Sequence, residues 1–192
     1  TKLAQIPDGL TRVTAGPGAS TLTRLPAHAF LRATQGLGLD DCDQAPRKTR
    51  VFLYHRYLTH PFYRYEAFLL SDGPNRAVVV TRACSHAGAR ALRVVDYLGS
   101  PLPLSGAGRA FTSLLVDSRA EFVDFYCSGL SAELAAAGFR TVRGDDAPIL
   151  PGYFEPFAAR NVDLLFAIKG PPGRLVICKG DADQDRPSQL ER

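Results

Sequence analysis

The chain has 192 residues, of which 45% are hydrophobic and 9% aromatic, enough for one domain with its own core and too many for a disordered protein. A net charge of +4 is too small to mark a nucleic-acid-binding protein. No apolar run approaches the roughly 18 residues of a membrane span, so none is expected.

Four scattered cysteines (Cys42, Cys84, Cys127 and Cys178) show no CxxC spacing. They exclude a zinc knuckle and predict reduced thiols in a cytoplasmic protein, with no metal. The chain starts at Thr1 and contains no methionine. A processed product or a piece of a longer protein is therefore expected.

Residues 1–24 are rich in Gly, Pro, Ser and Thr without a sustained period, and they read as an extended arm. Leu25–Gln35 predicts a short helix opened by Pro26, with Ala27, Phe30 and Leu31 at helical spacing. Lys48–Thr59 predicts another, stopped by His60-Pro61. From Phe62 the period changes. Tyr65–Leu70, Ala77–Arg82 and Ala91–Tyr97 read as strands of an antiparallel meander, with turns at Ser71–Asn75 and Ser85–Gly88.

Beyond the meander, Leu104-Ser-Gly-Ala-Gly-Arg-Ala-Phe111 opens a helix marked by Phe111, Leu114 and Leu115. Glu121–Cys127 predicts a strand, and Ser131–Ala137 a helix closed by Gly138 with Phe139 packing back. Arg140–Arg143 suggests a short strand, and Ile149–Phe157 a proline- and aromatic-rich loop. Asp163–Lys169 and Arg174–Cys178 predict the last strands, joined by Gly170-Pro-Pro-Gly173. The tail from Lys179 is polar. The expected class is α+β (mixed α/β), a central mostly antiparallel sheet flanked by helices, with the domain over residues 25–178 and a C-terminal tail over 179–192.

A strand running into a glycine turn and a helix leaves backbone N–H groups free at the helix start, which suits the phosphates of a nucleotide-like cofactor. A tight turn alone would need the same glycines. Asp96, set among apolar neighbours, is a candidate base or amine-binding carboxylate, or else a cap on the following turn. Asp124 shares a strand face with Phe122 and Tyr126. His60 and Glu66 bracket an aromatic cluster (Phe62, Tyr63, Tyr65) fit for a sugar ring or for acid/base work, or for closing a helix end. Tyr153–Phe157 with Arg160 and Asn161 reads as a lid or as a loop packed over a sheet end. Asp181, Asp183 and Asp185 resemble the start of a calcium loop. Arg186 and Arg192 stand where that loop needs Gly and Glu, so calcium is not expected.

The element order resembles the GNAT acyl-CoA N-acyltransferase fold. In that family the central strand ends at a (Q/R)xxGx(G/A) turn whose amides hold the CoA pyrophosphate. Pro103-Leu104-Ser105-Gly106-Ala107-Gly108 matches both glycine positions, with Pro103 in place of the Gln or Arg. Arg56-Tyr57-Leu-Thr-His60-Pro61-Phe62-Tyr63-Arg-Tyr65-Glu66, Val95-Asp96-Tyr97, Glu121–Tyr126, Tyr153–Phe157 and Asp181–Pro187 are similar to phrases in GNAT-like proteins of bacterial surface-polysaccharide gene clusters.

The resemblance implies acetyl-CoA or another acyl-CoA as cosubstrate. Val95 and Tyr97 would hold the pantetheine arm, and Ser105, Gly106, Ala107, Gly108, Arg109 and Ala110 the pyrophosphate. The acceptor would be an amine, such as an amino sugar or a nucleotide-linked sugar. Asp96, Tyr126, Glu66 and His60 would be the catalytic candidates, Tyr126 as donor to the leaving thiolate. The family's usual tyrosine lies in the following helix, and Ser131–Ala137 contains none. With Pro103, that departure implies a second reading, a GNAT-like binding or scaffold domain without catalysis. A nucleotide- or sugar-phosphate-binding protein using the same turn is a third.

Overall fold

The computed structural model describes residues 20–86, 89–142, 165–169 and 174–182. Strand β1 (Thr21–Leu25) leads through a 3₁₀ turn to helix α1 (Phe30–Ala33). Strand β2 is Gln44–Ala45. Helix α2 (Arg50–Leu53) continues as a π-helical turn over Tyr54–Leu58. The meander follows as β3 (Glu66–Asp72), β4 (Asn75–His86) and β5 (Ala89–Gly99). Helices α3 (Leu102–Ser105) and α4 (Gly108–Asp117), strands β6 (Val123–Phe125) and β7 (Cys127–Ser128), and helix α5 (Ser131–Ala136) complete the middle. Strands β8 (Arg174–Leu175) and β9 (Ile177–Cys178) lead into a helical turn at Lys179–Asp181.

The main sheet has the order β1-β3-β4-β5-β6. All its pairs are antiparallel except β5 with β6, so the α+β class and the mostly antiparallel sheet hold. The hairpin β3–β4 turns at Gly73, whose φ of 52° suits the first central position of a two-residue turn. On one face Ala77, Val79, Val94 and Tyr97 meet Phe111 of α4 and Leu134 of α5. On the other, Val78, Val80, Val95 and Leu98 meet Phe30 of α1, Leu53 of α2 and Tyr57. Helix α5 ends as its sequence predicts. Gly138 adopts φ 89°, the Phe139 N–H returns to the Leu134 carbonyl at 2.9 Å, and the Phe139 ring meets Phe111 edge-on.

One irregularity shapes the middle of the sheet. Val80 pairs with Asp96 and Thr81 with Val94, so Val95 is the extra residue of a bulge. Strand β6 pairs with β5 only at Leu92–Val94, and beyond the bulge the two part. Short segments occupy the widening gap. Strand β8 pairs parallel with β2, β9 pairs antiparallel with β7, and the Val176 N–H donates to the Ala45 carbonyl at 2.8 Å.

Some expectations need correction. Thr21–Arg24 are not part of an arm and Leu25 does not open a helix; together they form an edge strand paired with Ala67–Ser71 of β3. The described parts of two expected strands, residues 165–169 of Asp163–Lys169 and residues 140–142 of Arg140–Arg143, are in no strand. Residues 1–19, part of the Ser85–Gly88 turn, Arg143, the Ile149–Phe157 loop, the candidate lid with Arg160 and Asn161, the Gly170–Gly173 turn, and Asp183 with the tail beyond it lie outside the described residues.

Candidate functional site

Asp96 sits just after the bulge and is fully buried, so its charge requires partners. They come from three parts of the chain. Lys48, in the segment leading into α2, places its ammonium 2.5 Å from Asp96 Oδ1 and 2.7 Å from Asp181 Oδ2. Tyr57, at the π-helical turn, donates its hydroxyl to Asp96 Oδ2 at 2.8 Å. The Tyr97 N–H donates to Asp96 Oδ1 at 2.8 Å. Asp181 is fixed in turn by the Cys178 N–H at 2.7 Å. Next to Tyr57, Arg56 grips the same segment through the Gly180 carbonyl at 2.9 Å and the Ala182 carbonyl at 3.0 Å.

Burial would by itself lower the Lys48 pKa, but Asp96 and Asp181 reverse this and hold it well above the ordinary lysine value. Burial pushes the Asp96 carboxyl up, against the pull of Lys48. Burial, and then the neighbouring Asp96 charge, push the Tyr57 hydroxyl up, so it stays a proton donor. Among the described residues Asp96, Cys178 and Asp181 bring potential metal-ligating atoms within 4.8 Å of one another. The Lys48 ammonium lies between the two carboxylates and supplies the cation that such a set would otherwise need.

The outer edge of β5 past the bulge is covered. The Tyr97 N–H goes to Asp96, while the Gln44 side chain donates to the Tyr97 carbonyl at 2.9 Å and accepts from the Gly99 N–H at 3.5 Å. Gly180 lies against the Val95 carbonyl; a Cβ there would come within 2.8 Å of that oxygen and 2.0 Å of the Tyr57 hydroxyl.

Upstream of the bulge, Arg93 and Asp124 form a second buried ion pair at 3.3 Å. Burial raises the Asp124 pKa against the opposing charges of Arg93 and Lys179. Neither Asp124 oxygen makes a hydrogen bond among the described residues. Asp124, Tyr126, Phe139, Ile177 and Lys179 help line a cavity of about 640 Å³. The Lys179 ammonium lies 4.7 Å from the centre of the Tyr126 ring.

The four catalytic candidates do not converge. Asp96 is sealed in the Lys48 cluster, and Tyr126 borders the cavity. Glu66 pairs with Arg24 and shares a row with Thr81 and Val94, on the face opposite Asp96. The His60 Nδ1 accepts the Phe62 and Tyr63 N–H groups at 3.2 and 3.0 Å, closing the turn after the π-helical segment.

Of the expected cofactor residues, Val95 and Tyr97 are covered as described. In the glycine turn the Leu104 N–H returns to Pro101 and the Ala107 N–H to Leu104, and Ala107 and Gly108 are buried. Arg109 is exposed, and α4 begins with no side-chain cap.

Gln44, Lys48, Tyr57 and Gly180 were not among the sequence candidates. The usable signal was Asp96 itself, since a carboxylate inside Ala91–Leu98 demands a buried cation.

No protein-family model matches the chain, and no curated protein does. Two solved structures are similar, the wild type and a point mutant of the Thermus thermophilus protein TTHA1254. They are 17% and 16% identical, with TM-scores of 0.42 and 0.44; each match covers 79% of this chain and 98% of the other.

Proposed function

We propose that the chain is a GNAT-like domain without acyl transfer, serving as a binding or scaffold module. The observation that carries this reading is the covered edge of β5. In an acyl-CoA enzyme of this pattern, backbone groups at Val95–Tyr97 would be offered to the pantetheine arm. Here the Tyr97 N–H and carbonyl and the Gly99 N–H already have internal partners, and Gly180 covers the Val95 carbonyl. Displacing these partners would break the pairing of Lys48 with Asp96 and Asp181, a cost of several kcal/mol for each charge left buried without its partner.

Pro103 supports the same reading, since it contributes neither a side-chain donor nor a backbone N–H to the turn. So does the scatter of Asp96, Tyr126, Glu66 and His60, because proton transfer needs its groups within hydrogen-bond reach of one reacting centre.

Thermal unfolding with acetyl-CoA tests the proposal. A ligand at about 100 times its Kd stabilises a binding protein by about 2.7 kcal/mol. No shift in Tm is expected up to millimolar acetyl-CoA. A saturable rise that Arg109→Ala weakens, together with release of free CoA in the presence of an amino sugar, would return the reading to an N-acyltransferase.

A further inference from the structure

Cys127 in β7 and Cys178 in β9 are direct partners in an antiparallel pair, and both are free thiols. The neighbouring bonds define the geometry of that position. The Lys179 N–H donates to the Tyr126 carbonyl at 3.1 Å, so Tyr126 and Lys179 occupy a hydrogen-bonded position. Cys127 and Cys178, one step along, therefore occupy a non-hydrogen-bonded one. The Cys178 N–H agrees, since it turns to Asp181 instead of toward β7.

At such positions the Cα atoms lie about 4.5 Å apart with the side chains at their closest. That falls within the range of roughly 4.4–6.8 Å that a disulfide bridges. The two side chains also share a side, as Cys127 packs against the core cluster that contains Cys178 and both line the cavity.

We propose that Cys127 and Cys178 form a disulfide when the chain folds under oxidising conditions, fastening the segment that fills the gap beside β5 to β7. The oxidant is a low-molecular-weight disulfide. One cysteine thiolate attacks it and displaces one small thiol, giving a mixed disulfide; the second cysteine then displaces the other. The protein loses two hydrogens and two electrons and gains one S–S bond, while the oxidant's S–S bond becomes two thiols.

Folding is the moment for this exchange. In the folded chain burial pushes the Cys127 thiol up to about 12 and the Cys178 thiol well above its ordinary value, so both stay protonated at neutral pH and react slowly. The other two cysteines are placed differently: Cys84 faces Ala91 across β4 and β5, and the Cys42 thiol donates to the Leu39 carbonyl. The inference rests on strand register and is independent of the proposed function.

The test is oxidative refolding of the full reduced chain in a glutathione buffer, trapping with iodoacetamide, and peptide mapping without reductant. A Cys127–Cys178 linked peptide is expected, with Cys42 and Cys84 alkylated and Tm falling on addition of reductant. Cys127→Ser should keep the fold and abolish that reductant-sensitive part of Tm. The already folded reduced chain should oxidise at least about tenfold more slowly in the same buffer, because its thiols are protonated. A refolded chain with native circular dichroism and both cysteines alkylated, or either one linked to Cys42 or Cys84, would overturn the proposal. Equal oxidation rates for folding and folded chains would overturn its folding-coupled part.

Discussion

Strand β5 carries two buried ion pairs, one on each side of the bulge at Val95, and they are completed to different degrees. Below the bulge, Asp96 uses both oxygens, one accepting from Lys48 and the Tyr97 N–H and the other from Tyr57. Above it, Asp124 meets Arg93 at 3.3 Å, and neither of its oxygens makes a hydrogen bond among the described residues. The difference follows from what surrounds each carboxylate. Asp96 is reached from the segment before α2, from the π-helical turn and from its own strand, whereas Asp124 lies on a short edge strand beside a cavity. The attraction within a buried pair repays its desolvation best when the partners are close and fully hydrogen-bonded. The Lys48 cluster therefore ties the 174–182 segment into the sheet, and the Arg93 pair contributes less.

Removing the cation at the centre of the saturated cluster should have the largest effect. Lys48→Ala leaves the fully buried Asp96 without its cation and facing the part-buried Asp181, a loss of about 3–5 kcal/mol. Against a typical domain stability of about 5–15 kcal/mol, that should show as a large drop in the urea midpoint. A loss below about 1 kcal/mol would mean that the two carboxylates find water or another cation. Because the Lys48 pKa lies above that of an unfolded lysine, its contribution is complete throughout the neutral range. It fades only as pH rises beyond the ordinary lysine value of about 10.4.

A smaller effect is expected from the edge of β5. Gln44→Leu removes the amide that serves the Tyr97 carbonyl and the Gly99 N–H, leaving buried backbone groups without a partner. The expected loss is about 1–3 kcal/mol. Hydrogen exchange should report it locally, with the Gly99 amide exchanging faster while amides in β3 and β4 keep their protection. Unchanged exchange at Gly99 would show that Gln44 is not what seals this edge.

The sequence made the centre of this sheet readable and its margins obscure. Strands β3, β4 and β5 carry apolar residues on both faces between turn residues, and Gly138 marks the end of α5 through its backbone conformation. Strand β1, Thr-Leu-Thr-Arg-Leu, is paired on one side only, and among its residues only Leu25 is buried, so its composition resembles a loop. The functional residues divide in the same way. Asp96 was visible because a lone carboxylate in an apolar run is anomalous. Lys48 was hidden in a basic run with Arg47 and Arg50, where charge ordinarily means solvent. Gln44 and Gly180 act through backbone contacts that bring together residues far apart in the chain, and no local spacing encodes them. The register of Cys127 and Cys178 is of the same kind: neither lies in a CxxC pattern, and only the pairing of β7 with β9 makes them neighbours.

The smallest predicted change concerns the incomplete pair and turns on pH. Asp124→Asn keeps the shape and an acceptor for Arg93 while removing a carboxylate that burial disfavours. At pH 7 its effect on stability should stay within about 1 kcal/mol, because the Asn carbonyl still faces Arg93, Arg93 keeps a further interaction of its own, and the desolvation cost of the carboxylate is removed. The pH dependence distinguishes this balance from a neutral surface change. The folded pKa of Asp124 is raised, so on acidification the folded chain takes up this proton before the unfolded chain does. Stability from this group therefore increases as pH falls through the folded value, and it is fully present below the unfolded value of about 3.9. Wild type should gain on Asp124→Asn as pH is lowered from 8 toward 4, measured as the difference between the two urea midpoints. A difference that moves the other way would show the Arg93 and Lys179 charges outweighing burial at Asp124, and the Arg93 pair would no longer be the weaker of the two.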